Sequence, residues 1–282
     1  MDKACLDHCL THEERLLFDK NGFFIVENAL PPKLVNDLNA VLDRLEAKYR
    51  PEQNLSPNER CNIFDFIGKD DLFLELLDWY KTFPKVWGIL GWHIQLYHSH
   101  LGITPPLPPE ERSEEARLGW HQDSGRLNMD LESNPRPRIS LKIGYFLTDT
   151  TEEGSGNFYV IPGSHLWNAL ELPEDEVSNP EGTTAVKVPP GTAVFFDRRI
   201  WHAASPNHSN ITRKVLFYGY SYRWLRPRDN MTVDHYMERS DPIRRQLLGA
   251  STGGLGYTSP KDEDVPLRDW IQEHLGEDAV IP

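Results

Sequence analysis

His121 and Asp123 are separated by one residue, Gln122. On an extended segment alternate side chains leave the backbone on one face, so an imidazole and a carboxylate stand side by side. Two such donors are part of a metal site, and in a chain with eleven histidines a lone His-x-Asp is an ordinary chance match. A third donor has to come from elsewhere. His202 is the best placed, at the end of Phe195-Phe196-Asp197-Arg198-Arg199-Ile200-Trp201, just past an apolar strand. Two histidines and one carboxylate leave coordination positions open, which suits iron(II) oxygen chemistry, whereas a closed set of four donors would indicate structural zinc. Further on, Arg213 opens the apolar stretch Val215-Leu216-Phe217-Tyr218. A guanidinium on such a strand needs an anion, and its fork fits a carboxylate.

The elements that position these residues change character along the chain. A short helix is expected over 11–21, stopped at Asn21-Gly22, followed by a strand at 23–26. Pro31-Pro32 opens a longer helix, in which Leu34, Val35, Leu38, Val41, Leu42 and Leu45 recur at helical spacing. Residues 72–90 read as further helix, so 1–91 form a mostly helical part. From Trp92 the texture becomes short strands at 93–98, 139–148, 157–161, 184–188, 192–197 and 213–222, separated by turn signals such as Pro162-Gly163-Ser164 and Pro189-Pro190-Gly191. Close-spaced strands of this kind indicate a β-sandwich or barrel over 92–225. Residues 103–117 and 170–183 read as mobile loops, and 226–282 as a polar, irregular extension with a short helix at 266–275. The whole chain, 1–282, is read as one domain.

The formal net charge is −13. Such a chain repels phosphate backbones and anionic lipid, so neither nucleic acid nor membrane is expected as a partner. No apolar run approaches a membrane span and no leader-like segment opens the sequence, so a cytoplasmic protein is expected. Cys5, Cys9 and Cys61 are sparse and odd in number, and read as free thiols. No sequence feature sets the oligomeric state.

Four ordered segments resemble the phytanoyl-CoA dioxygenase-like family of iron(II)/2-oxoglutarate oxygenases. They are Trp120-His121-Gln122-Asp123; residues 139–147 running into Thr148-Asp149; Asn157-Phe158-Tyr159-Val160-Ile161-Pro162-Gly163-Ser164-His165; and Pro190-Gly191-Thr192 leading to His202 and Arg213. The likeness covers roughly residues 14–225. It implies a mainly β fold with helical additions, a double-stranded β-helix (jelly-roll, cupin-like) barrel. It also implies Fe(II) on His121, Asp123 and His202, with the distal carboxylate of 2-oxoglutarate on Arg213. Dioxygen and 2-oxoglutarate would be co-substrates, released as succinate and carbon dioxide while a small-molecule metabolite is oxidised, by default hydroxylated. Halogenating relatives replace the carboxylate ligand with a small residue; Asp123 argues against that outcome. Many relatives carry Ser or Thr two residues after the distal histidine, where this chain has Ala204.

Other residues are candidates for the same site. Lys142 would meet an anion if it faces the barrel interior; the opposite face assignment places it in solvent. Along 95–100, either Tyr97 and Ser99 or His98 and His100 face inward, for co-substrate and substrate contacts. Trp201 is a candidate wall of the substrate pocket and Arg126 a candidate contact for an anionic substrate group. His165 reads as a loop brace, and without a Gly-x-Ser-x-Gly elbow Ser164 does not suggest a hydrolase. The alternative from another class is a non-catalytic metal-binding barrel acting as a sensor or scaffold. A zinc hydrolase on the same three ligands would give Arg213 no role.

Overall fold

The computed structural model describes residues 1–112, 117–258 and 260–280. Among them the chain forms nine strands: β1 (Phe23–Val26), β2 (Cys61–Phe64), β3 (Ile94–Thr104), β4 (Ser140–Phe146), β5 (Phe158–Val160), β6 (Thr184–Val186), β7 (Thr192–Asp197), β8 (His202–Ala204) and β9 (Arg213–Tyr222). Eight α-helices accompany them: α1 (His12–Asn21), α2 (Pro32–Glu52), α3 (Asp71–Leu77), α4 (Phe83–Leu90), α5 (Gly125–Asp130), α6 (Asp234–Met237), α7 (Pro242–Leu247) and α8 (Pro266–Leu275).

The strands make a six-stranded sheet, ordered β1-β7-β4-β9-β3-β2, and a three-stranded sheet, ordered β6-β5-β8. Every pairing is antiparallel. Two sheets facing each other in this way form the barrel of a double-stranded β-helix.

Alternation along β4 divides the core. Leu141, Ile143 and Tyr145 join the large cluster shared with Phe18, Leu38, Leu42, Phe73 and Leu77 of the helices. Phe146, two residues from Gly144 on the other face, joins a smaller cluster with Phe158, Val160, Val194, Phe196 and Phe217 between the sheets. Helices therefore cover the outside of the large sheet, and its even-numbered β4 positions, Lys142 included, face the barrel interior. Polar ties fix this layer: the Tyr218 hydroxyl donates to the Phe73 carbonyl at 2.9 Å and the Tyr220 hydroxyl to Leu77 at 2.6 Å. Both carbonyls belong to α3, so buried hydroxyls are satisfied where helix meets sheet.

Helix ends follow their residues. Thr11 and Glu14 form a capping box on α1, and Gly22 ends that helix at φ 80. A Cβ at Gly22 would lie 2.6 Å from His165 Nδ1, so glycine is required for packing as well as for the turn. His165 braces this junction, its Nε2 lying 3.2 Å from the Asp19 carbonyl.

Several expectations are corrected. The helix expected over 72–90 is two helices, broken at 78–82 ahead of Pro84 in the first turn of α4. β2 lies inside the part expected to be mostly helical; it pairs with β3, with Asn62 opposite Gly102 and Phe64 opposite His100. β3 runs on to Thr104, so the expected loop 103–117 starts as strand, and its residues 113–116 lie outside the described ones. The extension after 226 contains α6 and α7 as well as the expected α8. Cys5, Cys9 and Cys61 are free; burial pushes the Cys5 thiol up to about 12, which makes it inert. No helix among the described residues is long and apolar enough to cross a membrane.

Candidate metal centre

His121 and His202 are joined through their backbones. Each amide donates to the other's carbonyl at 3.0 Å, forming an isolated antiparallel bridge. β8 then pairs with β5, setting His202 opposite Val160. Asp123 is pinned on both sides: its amide donates to the Arg198 carbonyl at 3.0 Å, and Asn128 Nδ2 donates to the Asp123 carbonyl at 2.8 Å. Arg198 Nη1 donates to the Asn128 side chain, tying the brace together. Ser124 follows in a left-handed conformation, φ 64, and turns the chain into α5.

Donor atoms of His121, Asp123 and His202 lie within 4.8 Å of one another. The imidazole tautomers are set by the backbone. His121 Nδ1 lies 2.9 Å from the Gly119 carbonyl, and His202 Nδ1 lies 2.9 Å from the Ile200 carbonyl. A carbonyl only accepts, so each Nδ1 carries the proton and each Nε2 keeps its lone pair for a metal. Burial is the main cause lowering the His202 ring to about 4, so it is neutral at neutral pH. For Asp123 burial alone would raise the carboxyl, but the Lys142 charge beside it outweighs this and holds it well below the ordinary range. Lys142 Nζ approaches Asp123 Oδ2 to 2.8 Å, yet that buried oxygen has no well-aligned hydrogen-bond donor. An orphaned carboxylate oxygen facing two free Nε2 atoms fits a divalent cation held on one face.

A cavity of about 400 Å³ opens at these ligands. Arg213 reaches it from the start of β9, only 1% exposed, with its guanidinium 5.5 Å from the Phe146 ring. Its Nε and Nη1 have no hydrogen-bond partner, and burial lowers its pKa to about 9. A buried guanidinium with two idle donors has the chemistry to take an oxyanion. Phe158, Phe196 and Phe217 wall the cavity, with the Phe158 and Phe196 rings 5.3 and 5.5 Å from that of His202. Ala204 lines it too, so no hydroxyl is present there.

The remaining candidates separate. Lys142 and His100 line the cavity; His100 Nε2 lies 3.0 Å from Asn62 Oδ1, and burial with the nearby Lys142 and Arg60 charges holds its ring well below the ordinary value. Tyr97 and Arg126 line an adjoining lobe of about 410 Å³ that shares Asp123, Lys142 and Arg228. Arg126 is paired there with Asp130 at 2.7 Å. A bulge between Leu96 and His98 shifts the register of β3 and lets neighbouring residues reach different lobes. Ser99 is a correction. It faces away from the cavity, where its hydroxyl donates to Asp229 Oδ2 at 3.0 Å and accepts from the Ile67 amide at 3.3 Å. His98 does not line the cavity either; its Nδ1 donates to Asp229 at 2.8 Å. Trp201 is a second correction. It points outward, its indole donating to the Trp167 carbonyl at 3.2 Å, because the ligand His202 takes the inward side of the alternation.

Sequence reading missed Arg60, Asn62 and Phe64 beside β2, and Arg228 after β9. The alternation Arg60-x-Asn62-x-Phe64 was a usable signal. The cluster Arg223, Arg226 and Arg228 was another.

The paired sheets and this one-sided ligand set define a cupin-type barrel with a candidate mononuclear metal site. The phytanoyl-CoA dioxygenase (PhyH) family pattern matches residues 66–215, and the chain belongs to that family. A probable alpha-ketoglutarate-dependent hypophosphite dioxygenase of Stutzerimonas stutzeri is 29% identical over 150 residues, 47% of this chain and 46% of that protein. The ectoine dioxygenase of Nocardia farcinica is 24% identical over 241 residues, 73% of this chain and 76% of that protein. The match thus spans less than half of the first relative. Among solved structures, HygX of Streptomyces hygroscopicus with nickel and 2-oxoglutarate bound superposes with a TM-score of 0.60 at 16% identity, over 78% of this chain and 90% of that one. EctD of S. alaskensis with 2-oxoglutarate and 5-hydroxyectoine gives 0.58 at 18% identity, over 84% of each. At such identities these likenesses establish the fold.

Proposed function

We propose that this protein is an iron(II)- and 2-oxoglutarate-dependent dioxygenase that oxidises a small-molecule metabolite, most simply by hydroxylation. The observation that carries this reading is one cavity holding both the His121–Asp123–His202 set and the buried, unpaired guanidinium of Arg213. Iron and 2-oxoglutarate, when bound, supply the oxidising power. The chain supplies everything else. Nε2 of His121 and of His202 and the Asp123 carboxylate would hold the metal. Arg213 would take the distal carboxylate of the co-substrate as a bidentate partner. Phe158, Phe196 and Phe217 keep water from the cavity, which strengthens each charged contact inside it. Lys142 adds a positive charge beside Asp123, on the side where an anionic co-substrate would lie.

The pairing of Arg213 with the ligand set favours this reading over a zinc hydrolase or a sensor barrel. The test is oxygen-dependent conversion of 2-oxoglutarate to succinate by the iron-loaded protein. Wild type should form succinate even without a substrate, slowly. Asp123→Ala should form none and should lose tight binding of Co(II) or Ni(II). Equal succinate formation by the variant would sink the ligand assignment.

A further inference from the structure

We propose that the mouth of this cavity carries a second anion site, formed by Arg60 and Arg228, and that the substrate is a small organic acid bearing a carboxylate or phosphonate. The inference deepens the dioxygenase reading and rests on it. Its first support is charge balance. The residues lining the cavity include four cationic side chains, Arg60, Lys142, Arg213 and Arg228, but a single carboxylate, Asp123. An iron(II) ion and a 2-oxoglutarate dianion would cancel each other. Three positive charges then stay uncompensated in a chain whose net charge is −13. Lys142 and Arg213 are buried, whereas Arg60 and Arg228 are exposed at the rim, where a further anion from solvent can reach them.

The second support is construction. Arg228 is held in place. Asp229 Oδ1 accepts from His98 Nδ1 at 2.8 Å, and His98 Nε2 in turn lies 3.4 Å from Arg228 Nη1. His98 is 1% exposed, and burial keeps its ring below the ordinary value despite Asp229, so its Nε2 can accept. The Phe64 ring lies 5.1 Å from the Arg228 guanidinium and supports it by a cation–π contact. Asp229 does not cancel Arg228: its oxygens already take His98, the Ser99 amide and the Ser99 hydroxyl. Arg60, just before β2, lines the same cavity and reaches over Gly102 of β3, where a Cβ would lie 3.3 Å from Arg60 Nη2. Desolvation lowers the Arg60 pKa, and no carboxylate forms an ion pair with it among the described residues. Two guanidiniums thus line one cavity together with the apolar ring of Phe64, a combination suited to an oxyanion on a short carbon chain. His98 acts through Arg228 and is a positioning residue.

The experiment uses the full-length protein loaded with Ni(II), which holds 2-oxoglutarate without turnover. Matched alkyl carboxylates, alkylphosphonates and uncharged alkylamides of about three to six carbons are titrated calorimetrically, with and without 2-oxoglutarate. At least one anionic series should bind the 2-oxoglutarate complex roughly 10–100-fold more tightly than its amide, and Arg60→Gln or Arg228→Gln should each remove most of that preference. Which series wins identifies the acid group. 2-Oxoglutarate affinity should change less than about threefold in both variants. In an Arg213→Met background the preference for the anion should persist. His98→Gln, which keeps a polar partner for Arg228, should retain more of the preference than His98→Leu. Amides binding as well as anions would overturn the proposal. So would a loss of 2-oxoglutarate affinity in Arg60→Gln and Arg228→Gln equal to that in Arg213→Met, which would place both in the co-substrate site. Failure of 2-oxoglutarate to bind wild type at all would instead remove the dioxygenase reading, while the anion titrations without it still report on the rim.

Discussion

Replacing Arg213 by methionine should move two quantities in opposite directions. Arg213 is 1% exposed and its Nε and Nη1 lack partners, so without a bound anion it is a buried, uncompensated cation. The fall of its pKa from 12.5 to about 9 corresponds to a penalty on the charged form on the order of 5 kcal/mol. Part of this returns when methionine fills the same space against Phe146; about 1–3 kcal/mol is a reasonable share, since buried charges replaced by apolar groups give gains of that size. The apoprotein should therefore melt roughly 2–5 °C higher. The co-substrate, by contrast, loses a bidentate charge-assisted contact of about 3–4 kcal/mol, a fall in affinity of roughly 100- to 1,000-fold. In wild type, 2-oxoglutarate at 100 times its Kd should add about 2.7 kcal/mol to stability, and in the variant the same concentration should add almost nothing. Scanning calorimetry of the Ni(II)-loaded proteins, with and without 2-oxoglutarate, reads both effects. A variant that melts no higher than wild type and still gains the full increment from 2-oxoglutarate would refute the reasoning.

Two other perturbations test neighbouring contacts. Lys142→Met removes a positive charge 2.8 Å from Asp123, so divalent metal should bind roughly tenfold more tightly and 2-oxoglutarate more weakly, by calorimetry; no change in either would leave Lys142 a packing residue. Asp197 is fully buried and bonded to Arg199 at 2.7 Å and Arg138 at 3.0 Å. Asp197→Asn should cost about 3–5 kcal/mol in urea denaturation, because buried Arg199 loses its counter-charge and Arg138 is left with Asp19 alone, at 2.9 Å. Burial alone would raise the Asp197 carboxyl, but the Arg199 hydrogen bonds and both arginine charges keep it below its ordinary 3.8. A depressed carboxyl stabilises the fold fully above that ordinary value and loses its contribution as pH falls through the folded one. Wild type should thus lose stability below about pH 4, and the Asn variant should show a flatter acid limb; identical limbs would contradict the assignment.

The candidate set was legible in the sequence because spacing and strand context constrain it: His121, Asp123, His202 and Arg213 line one cavity. β4, β7 and β9 were legible because runs rich in β-branched and aromatic residues, bounded by turn signals, mark strands. The inward face of Lys142 was not, since every residue of β4 is buried and both faces read as core. β2 escaped because it is only four residues long, too short for the alternation Arg60-x-Asn62-x-Phe64 to stand out among charged and polar neighbours. The bulge at Leu96–His98 breaks the very periodicity used to choose between Tyr97 with Ser99 and His98 with His100. Trp201 was misplaced for a simpler reason: adjacent strand residues point oppositely, so a neighbour of an inward ligand faces out.

The backbone bridge between His121 and His202 has a consequence for how metal comes and goes. Two of the three candidate ligands are fastened to one another by main-chain hydrogen bonds, at 3.0 Å in each direction, whether or not an ion is bound. Closing the chain between them is a cost met by folding, so the ion meets a chelate already shaped to receive it. Metal should then govern oxidation without governing the fold: a chelator should strip the ion while the barrel stands, and iron added back should restore the site without refolding.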